Sequence, residues 1–287
     1  MSPRTDFRLI HRLRVRWAEV DMQRIVFNAH YLMYLDVAMT EYWRASSMPF
    51  AECMALLGGD MVVRKTSLDY HRSARMDDVL DVGLRLARVG RSSLVFEGAI
   101  FRGNECLTTG ELHYVYTTPH ATASQPVPDV LRQALQGFEA GEPATQLQQG
   151  SWAQCQALSM PVREAVFVAE QHIPLPMVSD DTDATAHHAV LTNRLGLPLA
   201  TGRLVVQPGG RSAKVGRMAV LHALRGQGLG AQVLAALVAQ ARQQGCTEVM
   251  LHAQHSAIGF YLPHGFVPRG DAFEEAGIAH QEMVLAL

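Results

Sequence analysis

Two stretches of this sequence place chemistry-bearing residues beside backbone that can assist them. In the first, WAEVDMQRIVFNAHYLMYLD over residues 17–36, an acid, Asp21, comes just before the start of a long apolar-striped helix. A helix N-terminus presents backbone N–H groups without intrahelical partners and a partial positive charge. Such a terminus can polarise a carbonyl and stabilise a developing oxyanion. A carboxylate nearby can attack that carbonyl or activate water. Asp is also a favoured turn and capping residue, so the residues alone leave both readings of Asp21 open. In the second stretch, RGQGLG over residues 225–230 stands between a strand and an amphipathic helix. Glycines let backbone approach a ligand and turn its N–H groups inward, and the helix start adds its dipole. Together they can hold a pyrophosphate without net basic charge. The spacing is neither G-x-G-x-x-G nor a P-loop with its Lys-Ser/Thr, so dinucleotide and nucleoside-triphosphate readings lose.

The elements that must position these stretches follow from periodicity. Residues 9–17 alternate and predict a strand. Asn28 offers an N-cap for a helix at about 29–46, with Leu32, Leu35, Met39 and Tyr42 at helical spacing. A shorter helix is expected at 50–57, ended by Gly58-Gly59, and strands at 61–71, 78–89, 92–103 and 105–117. One helix against an antiparallel sheet is an α+β layer arrangement. Residues 123–158, rich in Pro, Ala, Gln and Ser, read as a linker with a short helix at 128–138. That divides the chain into domains at 1–122 and 159–287. In the second domain the pattern predicts a helix at 161–172, a hairpin turning at Gly196 and a strand at 214–220. A strong helix at 229–243, a strand at 248–253, a short helix at 257–264 and a last strand at 280–287 complete it.

Composition narrows the partners. Apolar residues make up 48% and charged residues 18% of 287, which is globular rather than disordered. The first 140 residues hold 16 basic and 16 acidic side chains and the rest 9 and 11, so no bulk positive field points to nucleic acid. Cys53, Cys106, Cys155 and Cys246 show no zinc-type spacing and no disulfide framework. The start lacks an apolar signal region and no apolar run is long enough to span a bilayer, so the expectation is a cytoplasmic protein without membrane contact.

Residues 7–120 resemble the hotdog-fold thioesterases of the 4-hydroxybenzoyl-CoA thioesterase type. Their helix-start motif, D-x-x-G-I-V-F/Y-x-x-Y-L, is matched by Asp21, Ile25, Val26, Phe27, Tyr31 and Leu32. The segments 68–80, 88–94 and 110–116 match the family's strands in order. The resemblance implies a helix wrapped by an antiparallel sheet, self-association as a dimer or tetramer, and hydrolysis of an acyl-CoA. It carries the catalytic acid to Asp21, the oxyanion amide to the backbone near Asn28, and CoA contacts to the strand turn holding Arg88, Ser92 and Ser93. Where the family has Gly this chain has Arg24. That departure bears on substrate identity, because Gly there serves a positive-φ turn or a close approach of substrate.

Residues 160–287 resemble the GNAT acyltransferases, whose pyrophosphate loop R/Q-x-x-G-x-G/A is matched by Arg225, Gly228 and Gly230. The segments 162–171, 188–191, 201–205 and 259–266 agree. The resemblance implies an α/β mixed-sheet domain binding acetyl-CoA or another acyl-CoA where two parallel strands splay. Met218 and Val220 would meet the pantetheine, and the amides of Arg225, Gly226, Gln227, Gly228, Gly230 and Ala231 the pyrophosphate. Tyr261 falls at the position of the acid that protonates the leaving thiolate. Glu170, His252, His255 and His280 are candidates for the base that takes the proton of a small amine acceptor, His280 first, because residues 274–280 resemble an acceptor-side segment. Together the two resemblances imply a bifunctional CoA enzyme in which neither mechanism requires a metal. The alternative is a hotdog domain that only senses acyl-CoA or dimerises.

Overall fold

The computed structural model describes residues 3–121, 123–275 and 277–287. These divide between Ala144 and Thr145 into two compact units.

In the first unit, β1 (Leu9–Arg14), β2 (Asp60–Tyr70), β3 (Val79–Val89), β4 (Ser93–Arg102) and β5 (Glu105–Thr117) form one antiparallel sheet in the order β1-β3-β4-β5-β2. Helix α1 (Asn28–Ala45) buries Tyr31, Tyr34, Leu35, Ala38, Met39 and Tyr42, a stripe at helical spacing. The helix can lie close to the sheet because Gly98 and Gly110 face each other on β4 and β5. A Cβ on Gly98 would stand 2.5 Å from Leu35 Cδ2, and one on Gly110 2.5 Å from Leu68 Cδ2. Helix α2 (Phe50–Leu57) ends at Gly58 in the left-handed region.

Two expectations shift here. The first strand stops at Arg14 rather than 17, because the chain turns at Val15, whose N–H donates to Asp78 O, into a 3₁₀ turn at Trp17–Glu19. Asn28 is the first helical residue and Phe27 the cap, so the expected side-chain cap is absent.

The segment expected as a linker is folded. Its helix, α3 (Asp129–Glu139), buries Leu131, Leu135 and Phe138 in the first unit. Glu139 accepts hydrogen bonds from Tyr42 Oη (2.6 Å) and Leu86 N (2.8 Å). Arg132 donates to the carbonyls of Val89 and Gly90.

The second unit opens with β6 (Thr145–Gly150), paired to β7 (His187–Asn193). Helix α4 (Trp152–Arg163) begins well before the expected residue 161. Pro161, which suggests a helix start, lies inside it, and the actual start is the Ser151–Gln154 capping box. The helix continues as a π-helix over Glu164–Glu170. The remaining strands are β8 (Pro198–Val206), β9 (Ser212–Val220), β10 (Glu248–Gln254), β11 (Val267–Pro268), β12 (Phe273–Glu275) and β13 (Ile278–Ala286). The sheet order is β11-β13-β10-β9-β8-β7-β6, with β12 on β13, and only the β9–β10 pair is parallel. Helix α5 (Leu229–Gln243) packs Val233 and Leu237 where Gly202 leaves space on β8. On the other face α4 meets the same strand, where Thr201 Oγ1 donates to Ser159 Oγ at 3.0 Å.

Candidate active sites

The first site is a short hairpin folded back on the start of α1. Val20 and Val26 form a β-bridge. Within it Asp21 N donates to Ile25 O, and Arg24 N to Asp21 O. Phe27 N donates to Glu19 O, which brings the hairpin's base beside the helix start. Arg24 sits at φ +62°, the left-handed region that favours glycine. The family's Gly therefore serves the turn, and the exposed Arg24 side chain occupies a strained backbone position.

Asp21 Oδ1 accepts from Gln23 N at 2.8 Å. Its other carboxylate oxygen has no hydrogen bond among the described contacts. No side chain caps α1, and while His30 N donates to Phe27 O (2.9 Å), the amides of Asn28 and Ala29 have no intrahelical acceptor. The hairpin thus places Asp21 seven residues ahead of Asn28, on the turn that leads into the helix start. Tyr70 Oη also donates to Asn28 O (3.1 Å). Arg88, Ser92 and Ser93 are not part of this group within one chain. They lie at the far end of β3 from Asp78 and Val15, roughly 30 Å along an extended strand.

Glu19 is the residue that sequence reasoning missed here. It is 2% exposed. Its carboxylate accepts from Arg16 N (2.8 Å), Arg16 Nε (2.7 Å) and Tyr34 Oη (2.7 Å). Burial pushes its carboxyl up, but the hydrogen bonds from Arg16 and Tyr34 outweigh that and hold it below the usual range. Burial and the same carboxylate push the Tyr34 phenol far up. The legible signal was the i,i+3 spacing of Arg16 and Glu19.

The second site is the cleft between β9 and β10. Their pairing runs from Ser212–Val215 against Glu248–Leu251 and stops there. Arg217 (φ +51°) lies just past that point on β9, and beside it the β8–β9 register shifts between Thr201 and Arg203. Met218 and Val220 are partly buried against the core at this end. Gly226 (φ +83°) and Gly228 (φ +79°) turn the loop into α5, whose cap Gly228 supplies no side chain. The amides of Leu229, Gly230 and Ala231 are left without intrahelical acceptors. A Cβ on Gly230 would press Phe260 Cζ at 3.3 Å.

The Arg225 side chain is engaged within the protein, and the N–H groups of Arg225 and Gln227 donate to His222 O (3.2 Å) and Leu224 O (3.3 Å). The Arg225 guanidinium donates to both carboxylate oxygens of Glu170 at 2.6 Å and, through Nε, to Val220 O at 3.3 Å. The same pairing, ahead of a smaller burial effect, holds Glu170 below the ordinary carboxylate range. That makes Glu170 a poor base.

Tyr261 is buried among Phe260 and Phe266, and burial pushes its phenol up to about 12. It therefore stays protonated across ordinary pH. His280, on β13 opposite Gln254, is 9% exposed and stacks on Phe273. Its Nδ1 lies 2.8 Å from Ile278 O, which can only accept. Nδ1 is thereby the donor, which makes Nε2 the nitrogen that carries the lone pair in the neutral ring. His252 Nδ1 lies 3.0 Å from Glu275 Oε2 and 3.2 Å from Lys214 Nζ. His255 is exposed on a 3₁₀ turn.

The two sites stand on two frames, a helix laid on an antiparallel sheet and a parallel strand pair that parts within a mixed sheet. Residues 23–108 match the family model described as "Thioesterase superfamily", and residues 202–287 that described as "Acetyltransferase (GNAT) domain". The "Uncharacterized N-acetyltransferase YjcF" of Bacillus subtilis (strain 168) is 34% identical over 124 residues, 43% of this chain and 86% of its own. A "Putative esterase" of Aquifex aeolicus (strain VF5) is 30% identical over 93 residues, 32% of this chain and 72% of its own. A crystal structure of a putative N-acetyltransferase from Lactobacillus plantarum is 31% identical, covering 50% of this chain and 99% of that one, with a TM-score of 0.47. The chain belongs to the thioesterase superfamily in its N-terminal unit and to the GNAT acetyltransferases in its C-terminal unit.

Proposed function

We propose that the N-terminal unit hydrolyses an acyl-CoA thioester and that the C-terminal unit transfers an acetyl or other acyl group from CoA to a small amine. The observation that carries the first half is Asp21, with one carboxylate oxygen unengaged among the described contacts, on the hairpin that leads into the uncapped start of α1. There the Asn28 amide polarises the thioester carbonyl, and Asp21 attacks that carbonyl or takes a proton from water. CoA leaves as the thiol, and water completes the release of the acid. Arg88, Ser92 and Ser93 then contact CoA from the partner of a dimer or tetramer. Exposed Trp17, Met22 and Phe27 around the hairpin, and Val63 and Tyr70 on the sheet-edge strand β2, support such self-association.

In the second half, the amides of Gly226 and of Gly228 to Ala231 hold the diphosphate and the backbone of Met218 and Val220 the pantetheine. The amine attacks the thioester carbonyl directly. His280 Nε2 takes the amine proton, and Tyr261 gives its proton to the departing thiolate. Among the described residues no helix is long and apolar enough to cross a membrane.

The test is thiol release from a panel of acyl-CoAs, with and without amines, in wild type and Asp21→Asn. Amine-independent release falling by about 100- to 10,000-fold in the variant is the expected loss of a positioned acid or base. Release seen only with amines would reduce the N-terminal unit to a binding or dimerising module.

A further inference from the structure

Glu170 and Gln171 end the π-helix and reach to both arms of the cleft. Glu170 holds Arg225, which follows β9, and Gln171 Oε1 accepts from Gln254 Nε2 (3.1 Å) at the end of β10. These are the two strands whose pairing stops at Leu251 and Val215. Two consecutive side chains from one helix end therefore span the place where the sheet opens. π-Turns within α-helices recur at functional sites. Arg225 is a staple in its own right, since its Nε bonds Val220 O and closes the turn that leads to the glycine loop.

We propose that Glu170 is a positioning residue of the acyl-CoA site: it fixes the Arg225 guanidinium so that the loop amides of Gly226 and of residues 228–231 are set for the diphosphate before it arrives. This rests on the acyl-CoA reading of the C-terminal unit. The pair is two-fifths exposed on Arg225 and similarly on Glu170, so it adds little to global stability. Its effect is local, through preorganisation of a loop that otherwise spends binding free energy on ordering itself. A bidentate Arg–carboxylate fork defines direction as well as distance. The sign of the effect is diagnostic. By charge alone, removing a carboxylate beside a diphosphate site favours the anion; by positioning, it weakens binding.

The test uses the full chain and hydrogen exchange of peptides covering residues 222–234, with CoA as the probe, because this readout separates the loop from any CoA bound by the N-terminal unit. Half-maximal protection in Glu170→Gln is expected at a CoA concentration on the order of tenfold higher than in wild type. Arg225→Gln should lose at least as much, and the double variant no more than Arg225→Gln alone. The melting temperature should stay unchanged. Protection in Glu170→Gln at the wild-type concentration or below it overturns the proposal. A wild-type loop that CoA never protects overturns the acyl-CoA reading itself, and the proposal with it.

Discussion

At the residue scale, the strained position of Arg24 has a measurable sign. A left-handed backbone costs a non-glycine residue roughly 1 kcal/mol, so Arg24→Gly should stabilise the N-terminal unit by about that amount in denaturant unfolding. If the exposed guanidinium has no part in substrate binding, hydrolysis should be unchanged. Tyr261 gives a second sign. Burial disfavours the phenolate, so the group stays protonated as pH rises through 10 and loses its proton only near 12. The difference in phenolate absorbance between wild type and Tyr261→Phe should therefore be absent at pH 10 and appear near 12. Both residues were legible as members of patterns. Asp21 and the glycine loop stood out because type and spacing alone describe them. The Glu170–Arg225 pair did not, because a hydrogen bond across 55 residues leaves no local periodicity, and Glu19 showed only its i,i+3 spacing to Arg16, not its bond to Tyr34.

At the scale of elements, the helices and strands of the N-terminal unit follow the sequence closely, since burial of one face imposes a 3.6- or 2-residue period. α4 is the exception. A proline that reads as a start lies in the interior, and the capping box ahead of it is the weaker-looking but correct signal. The close approach of α1 to the sheet predicts that Gly98→Ala, whose new methyl meets Leu35, costs about 1–3 kcal/mol by overpacking. Differential scanning calorimetry would read it as a lowered first transition. In the C-terminal unit, Asp183 is 1% exposed and pairs with Arg163, which is fully buried, and with Arg203 at 2.8 Å. Burial pushes its carboxyl up, but hydrogen bonds from Arg163 and Arg203 prevail and lower it. That stabilisation is present above the unfolded carboxylate pKa and is lost as pH falls through the lowered one. Asp183→Asn leaves a buried guanidinium without its counter-charge and should cost about 3–5 kcal/mol, and stability should fall less steeply on acidification than in wild type.

At the scale of the molecule, composition misled where it usually informs. Pro119, Pro126, Pro128 and Pro143 with a run of small polar residues read as a tether, yet α3 completes the first core and β6 begins the second sheet. Pieces 1–144 and 145–287 should each unfold cooperatively by circular dichroism, whereas a cut at 122 or 158 strips a buried helix or an edge strand and should not. Light scattering of the full chain should give at least twice 31.5 kDa if the N-terminal unit self-associates. The π-turn ahead of Gln171 carries a consequence for chain length. Such turns occur mostly as single-turn bulges within an ordinary helix. Deleting one residue between Glu164 and Glu170 would restore regular winding and swing everything after it by about 100° around the axis. Glu170 would then point away from Arg225. A homologue one residue shorter in this stretch would have to hold its glycine loop by other means.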